Sequence, residues 1–332
     1  MATLSTTNPT LMDLAKRQDP DGKIARIVGI LEQTNPILDH MTFQEGNLET
    51  GHRFTYQTKI PQPTWRMINQ GVLPTKGGTA QSTSTCGNLE AYAQVDKDLA
   101  DLNGNTNAFR LSEDRMHIEG MNQEMASTLF FGNEAINPER YTGLSPLYNN
   151  LSDANAENII DGGGTGADNA SIWLVVWGPN TVFGIVPKGS TAGLTMKNMG
   201  QTTAENVDGN GGMMEVYRTH YQWKSGLVVR DWRYVVRIAN IDRSLITNDA
   251  ATGPVLNELI TDAIERVPNL DMGRAGLYMD RSLRTALRHQ SKNAVKNSTL
   301  THDMVAGKRI TAVDGIPVYR TDALANNEAQ VV

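Results

Sequence analysis

The chain has 332 residues and a net charge of −6, long enough to bury a sizeable core as one large domain or two ordinary ones. Its apolar share, about 45% once glycine is counted and tyrosine left out, is that of a folded globular protein and excludes wholesale disorder. The acidic balance argues against a protein whose main surface grips nucleic-acid phosphates, while leaving room for a local basic face. A single cysteine, Cys86, closes no intramolecular disulfide and builds no multi-thiolate metal site, which points to a reducing cytosol. No signal-peptide pattern opens the chain, and the longest apolar run, Ile172 to Trp177, is too short to span a membrane.

In chain order, residues 1 to about 48 are polar and broken by Asn8-Pro9, Asp19-Pro20-Asp21-Gly22 and Asn35-Pro36 around a short apolar stretch, Ile24 to Leu31. Such a segment is expected to move freely or to lie along something else as an arm. Residues 53–60 alternate, with Phe54, Tyr56, Thr58 and Ile60 on one face, which predicts a half-buried strand. Leu89, Ala91, Ala93 and Val95 alternate in the same way and are expected to form its partner. The intervening stretch is far longer than a hairpin loop. It is either a loose insertion or an arm that orders against a partner through Trp65, Met67 and Ile68.

A long helix is predicted next, from an N-cap at Ser112 to a stop at Gly132-Asn133, with Leu111, Ile118, Met121, Met125 and Leu129 along one face. After the turn-rich "NPERYTGLSPLYNN" and the linker-like "DGGGTGADN", a strand-rich stretch runs from Ile172 to about Ile241, with a loop expected over 200–214. Two helices follow. The first carries Leu256, Leu259, Ile260, Ala263, Ile264 and Val267 as its apolar stripe; the second opens at Asp280 and runs to about Asn297. A short strand pattern around "RITAVDGIPVYRTDAL" closes an α+β order.

The search for chemistry finds little. The six histidines form no HxH or HxxxH pair, GxxxxGK[ST] is absent, and the glycines after Asp161 precede a strand instead of a helix. Ser190 has the wrong glycine spacing for a nucleophile elbow, and Cys86 reads as an inert thiol. No catalytic, cofactor-binding or metal-ligating residue is assigned. One constellation stands out: Arg281, Arg284, Arg288, Lys292 and Lys296 recur at helical spacing, with Leu283, Ala286, Leu287 and Ala294 beside them and no acid before His302. It is either a solvated face or a surface that docks on an acidic neighbour or on packaged phosphates.

A core without chemistry, joined to long exposed arms, suggests a surface for further copies of the same chain. The phrases "FFGN…NPERYTGLSPLYN", "IWLVVWGPNTVFGIVPKGSTAGL", "GLVVRDWRYVVRIANID" and "GIPVYRTDALANNEAQV" resemble major capsid proteins of tailed, short-tailed (podovirus-like) double-stranded DNA bacteriophages. The resemblance implies the HK97-like capsid fold: an N-terminal arm (1–48), an extended β-hairpin or E-loop (49–98), a peripheral domain with its spine helix (99–170), and an axial domain with the remainder of the peripheral domain (171–332). It further implies a non-enzymatic protein without cofactors that forms pentamers and hexamers and closes an icosahedral shell around DNA. The E-loop contacts between subunits would come from Phe54, Tyr56, Ile60, Trp65, Met67 and Ile68. Scaffolding, portal and decoration or cement proteins are the expected partners, packaged DNA is touched non-specifically, no membrane is involved, and assembly takes place in the host bacterial cytoplasm. Two other readings stand beside this one: the shell protein of a cellular nanocompartment, and a carboxylate-dependent hydrolase with a deep acidic cleft.

Overall fold

The computed structural model describes residues 8–17, 32–205, 211–246, 253–293, 300–305 and 308–332. In chain order the elements are α1 Leu11–Lys16, α2 Ile37–His40, β1 Phe43–Glu45, β2 Gly51–Lys59, β3 Gly78–Asp96, α3 Lys97–Asp101, α4 Thr106–Phe131 and α5 Leu144–Leu147. There follow β4 Ile159–Asp161, β5 Asn169–Trp177, β6 Val182–Val186, β7 Leu194–Glu205, β8 Met213–Val229 and β9 Val235–Asp242. The last elements are α6 Leu256–Arg266, β10 Arg274–Met279, α7 Arg281–Asn293, β11 Leu300–Val305, β12 Lys308–Val313 and β13 Ile316–Arg320. The apolar stretch Ile24 to Leu31, Ala294 and Lys296 lie outside the described residues. The chain divides into two compact units: Met1–Asn35, Asn88–Ser127 and Gly193–Lys224 form one, and Pro36–Gly87, Thr128–Ala192 and Ser225–Val332 the other.

In the first unit the alternation of Leu89 to Val95 turns one side of β3 inward. Ala93 packs with Met121 of α4 and Tyr221 of β8, with Leu89, Ala91, Leu194 and Trp223 at the margin. Val95 joins Leu14, Ala100 and Phe109. Six residues are too few for a free helix, so α1 depends on its surroundings: a capping box between Thr10 and Asp13 closes its start, and Arg17 pairs with Glu113 on α4. Of the loop expected over 200–214, residues 200–205 and 213–214 are strand instead, and 206–210 lie outside the described residues. β7 pairs antiparallel with β8 from Leu194↔Trp223 to Glu205↔Met213, with a bulge between Asn198 and Gly200. Its threonines suit a strand, and its polarity reflects the exposure of most of its residues: Thr203 Oγ1, for example, donates across to Glu215 at 2.7 Å.

The helix α4 starts at Thr106, six residues ahead of the predicted cap. Ser112 is an internal residue whose hydroxyl donates back to the Phe109 carbonyl at 2.7 Å. Met121, Met125 and Leu129 of the predicted stripe are buried, whereas Leu111 and Ile118 are exposed.

In the second unit every residue of β5 is buried. The strand lies between β9 and β10, antiparallel to both, and because the side chains on both of its faces are buried its sequence reads as a continuous apolar run. β10 continues to β13 in parallel, and β13 to β12 and β11 antiparallel. β4 lies parallel to β9, β1 parallel to β6, and β6 antiparallel to the end of β8. Where the sequence suggested one closing strand there is a hairpin: Asp314 and Gly315, at φ 48° and 81°, turn Val313 back onto Ile316 as left-handed two-residue loops do. The acid-base pair at the centre of this unit is buried. Arg237 of β9 reaches Glu328 at 2.7 Å, the Tyr148 carbonyl at 2.7 Å and Ser171 Oγ at 3.2 Å, and its guanidinium lies 5.1 Å from the Trp173 ring centroid. The two-way bond between Asn240 and the Val331 backbone (2.9 and 2.8 Å) holds the last residues beside it.

Candidate assembly surfaces

The strand predicted from the alternation after Gly51 exists, but its partner is different. β2 pairs with residues 78–85, from Gly51↔Thr85 to Lys59↔Gly78, and residues 89–95 are the same long strand β3 continuing beside β8. Alternation marks which residues form strands and leaves the pairing open; the Ser/Thr segment read as loop is itself strand. The true connection is residues 60–77.

The base of this hairpin is fixed. The Asn47 side chain brackets Arg53, donating to its carbonyl and accepting from its amide at 2.7 Å each, as a neighbouring strand would. The Cys86 amide donates to the Thr50 carbonyl at 2.9 Å, and Thr85 Oγ1 to Glu134 at 2.7 Å. Gly51 runs so close to β3 that a Cβ there would lie 2.1 Å from the Ser84 carbonyl oxygen. Phe54 packs half-buried against Phe183, Ile185 and Val228, beside Cys86.

Beyond Phe54 the pattern departs from a half-buried strand. Residues 55–60 are exposed on both faces, including Tyr56 and Ile60. In the connection Trp65 is fully exposed, and Met67 (66%) and Ile68 (88%) project with it. Val72 and Leu73 (84%), which the sequence reading passed over, belong to the same apolar tip. The signal for them was an apolar pair between Gly71 and Pro74 in an otherwise polar loop. Five large apolar side chains on one free tip form a surface that water solvates poorly.

The helix α7 carries three of the predicted cations in described positions. Asp280 caps it through the Ser282 amide at 2.9 Å, and Leu283 and Leu287 are buried. The face is not free of acids: Asp322, beyond β13, takes Arg281 at 3.5 Å and Arg320 in two bonds of 2.9 and 2.7 Å. The sequence pattern missed this because the acid arrives from a distant segment. Arg284 is half-buried, and burial first, then the charges of Arg288 and Arg320, lower its pKa. Its Nε is buried with no acceptor among the described residues. Arg288 is exposed; the Lys292 side chain and all of Lys296 lie outside the described residues.

Among the described residues the cavities and titratable groups give no sign of a reaction centre. A cleft of about 960 Å³ lies between residues 54–60 and residues 153–155 and 230–233; Lys59, Arg230 and Arg233 line it against only Asp153 and Asp231. It is not the acidic cleft a carboxylate-dependent hydrolase requires, and Asp231 is already chelated by Arg233 at 3.0 and 2.7 Å. Burial pushes the Cys86 thiol up to about 11, which keeps it protonated and unreactive near neutrality. The amides of Gly162 and Gly164 donate to the carbonyls of Ala239 and Asn240, so they are not turned toward a phosphate. Among the described residues no group of three His, Cys, Asp or Glu side chains could hold a metal ion, and no helix is long and apolar enough to cross a membrane.

Comparison with known proteins agrees with a structural reading. The family model of major capsid protein GP7 matches residues 19–332. A chain from the structure of bacteriophage Epsilon15 is 35% identical, covers 100% of this chain and 99% of its own length, and superposes with a TM-score of 0.79. A chain of the bacteriophage JBD30 capsid, 10% identical over 90% of this chain and 95% of its own, has a TM-score of 0.50 and shares the fold. No curated protein matches. An α+β chain of HK97-like fold, matched over nearly its whole length by this family, belongs to the major capsid protein GP7 family, the capsid proteins of tailed phages.

Proposed function

We propose that copies of this chain form pentamers and hexamers that close an icosahedral shell around the double-stranded DNA of a short-tailed phage. The observation that carries this reading is the apolar tip of the β2–β3 hairpin, which Trp65, Met67, Ile68, Val72 and Leu73 leave in water. In a shell each hairpin, the E-loop of residues 49–98, lies over a neighbouring subunit and buries that tip, with Tyr56 and Ile60 extending the contact and Phe54 fixing its root. Residues 1–48 act as an arm toward another subunit. Residues 99–170, with α4 as spine, belong to the peripheral domain, and residues 171–332 supply the axial domain and the rest of the peripheral one. The protein performs no catalysis. Scaffolding, portal and decoration proteins are its further partners, and the shell assembles in the host bacterial cytoplasm and becomes part of the virion. An overall acidic subunit suits a container that must release its DNA.

Deleting residues 61–76 tests this. Soluble, folded subunits that no longer make closed shells by sedimentation and negative-stain microscopy are expected; intact shells from the deletion would refute the role of the hairpin.

A further inference from the structure

The second unit carries a charge pattern that the shell reading leaves unused. Helix α6 buries Leu256, Ile260 and Ala263, and on its opposite side exposes Glu258, Asp262 and Glu265. Their spacings of 4 and 3 residues place the three carboxylates in one stripe. Among the described residues none of the three has an ion-pair or hydrogen-bond partner. On α7 the exposed or half-buried Arg281, Arg284 and Arg288 follow at spacings of 3 and 4. Asp322 satisfies Arg281 in part, but among the described residues no carboxylate pairs with Arg284 or Arg288. Both stripes run over eight residues, seven helical steps or about 10.5 Å from end to end at the rise of an α-helix.

We propose that the α6 stripe of one copy docks antiparallel on the α7 stripe of the next, pairing Glu265 with Arg281, Asp262 with Arg284 and Glu258 with Arg288. Reversing one helix turns spacings of 4 and 3 into 3 and 4, so all three pairs meet in a single register; a parallel arrangement aligns only the ends. Antiparallel docking also sets opposite helix dipoles side by side. Charge complementarity selects the occupant, because the surface that matches this cation spacing is found on the same chain. The stripes lie on different helices, so each contact leaves one stripe free on each copy, and the pairing repeats head to tail until it closes as a ring. This rests on the capsid reading above and adds to it the surface that sets the order of subunits within a capsomer.

The test is charge reversal and exchange at the exposed pair, in cells where the unmodified chain gives shells. Absence of shells from the unmodified chain would count against the capsid reading, not against this pairing. Arg288→Glu and Glu258→Arg are each expected to reduce shell yield about tenfold, because small losses repeat at every contact, and the double variant should recover. Exchange in the wrong register, Glu265→Arg with Arg288→Glu, should not. Normal yield from Glu258→Arg, or no recovery in the matched double variant, overturns the pairing. Normal shells from Arg288→Glu with reduced DNA retention would assign the arginines to packaged phosphates and overturn it too. Thermal melts of the subunits establish that each variant is folded, and the exchange of Asp262 with Arg284 repeats the test at the central pair.

Discussion

Replacing Trp65, Ile68 and Leu73 together by alanine separates the energetics of the subunit from those of the assembly. In the isolated subunit these side chains are between 84% exposed and fully exposed, so truncation removes almost no intramolecular contact, and unfolding should change by less than about 0.5 kcal/mol. At an interface the same side chains are worth about 2 kcal/mol each when buried, an upper limit of about 6 kcal/mol per contact. Immobilising the three side chains on docking costs about 1 kcal/mol each and offsets part of that gain, which leaves a loss of about 3 kcal/mol, or roughly a hundredfold in the association constant of each contact. The assay is a pair of measurements on one preparation: thermal unfolding of the free subunit and analytical ultracentrifugation of assembly as a function of concentration. The expected result is an unchanged melting temperature with assembly shifted to about hundredfold higher concentration. A lowered melting temperature would mean that the tip packs on its own subunit, and unchanged assembly would mean that it is never buried; either result would refute the argument.

Glu328→Ala removes the buried partner of Arg237 and should cost about 3–5 kcal/mol, read as a fall in the denaturation midpoint; a loss below about 1 kcal/mol would show that the pair contributes little. His40, whose ring faces Tyr278, Tyr319, Arg274 and Asp39, has its pKa pushed down to about 4, chiefly by burial. The unfolded chain therefore binds the extra proton first, and the contribution of this group is present above pH 6.5 and lost as pH falls toward 4. Because the ring is only partly buried, the effect discounted for solvent is about 1 kcal/mol. Comparing urea midpoints across that range in the native protein and His40→Phe should show a shallower acid slope in the variant, and equal slopes would rule out His40 as the source.

How much of this was legible in the chain can be traced through single elements. The run Ile172 to Trp177 announced a strand of the core, and β5 is fully buried. The stripe of Leu256, Ile260 and Ala263 fixed the inner face of α6, and Asp280 marked the start of α7. The polar strands were less visible. Residues 78–88 and 200–205 were read as loop because Ser, Thr, Gln and Gly dominate them, yet they pair as β3 and β7, whose residues are largely exposed and need no apolar alternation. The start of α4 was misplaced for a related reason: Ser112 has the chemistry of a cap, but its hydroxyl finds the Phe109 carbonyl within the helix.

By itself the sequence determined the α+β class, the apolar strands and stripes of the core, the exposed Trp65, Met67 and Ile68, the absence of a recognisable catalytic motif, and the family. These properties rest on local periodicity and residue chemistry, which every window of the chain carries. Only the tertiary structure decided that β2 pairs with residues 78–85, that Asp322 answers Arg281 and Arg320, and that Glu328 closes on Arg237 across 91 residues of chain. Strand pairing and buried ion pairs depend on which segments meet in space. The free energy that selects those meetings comes from burying the whole core at once, and no local pattern encodes it.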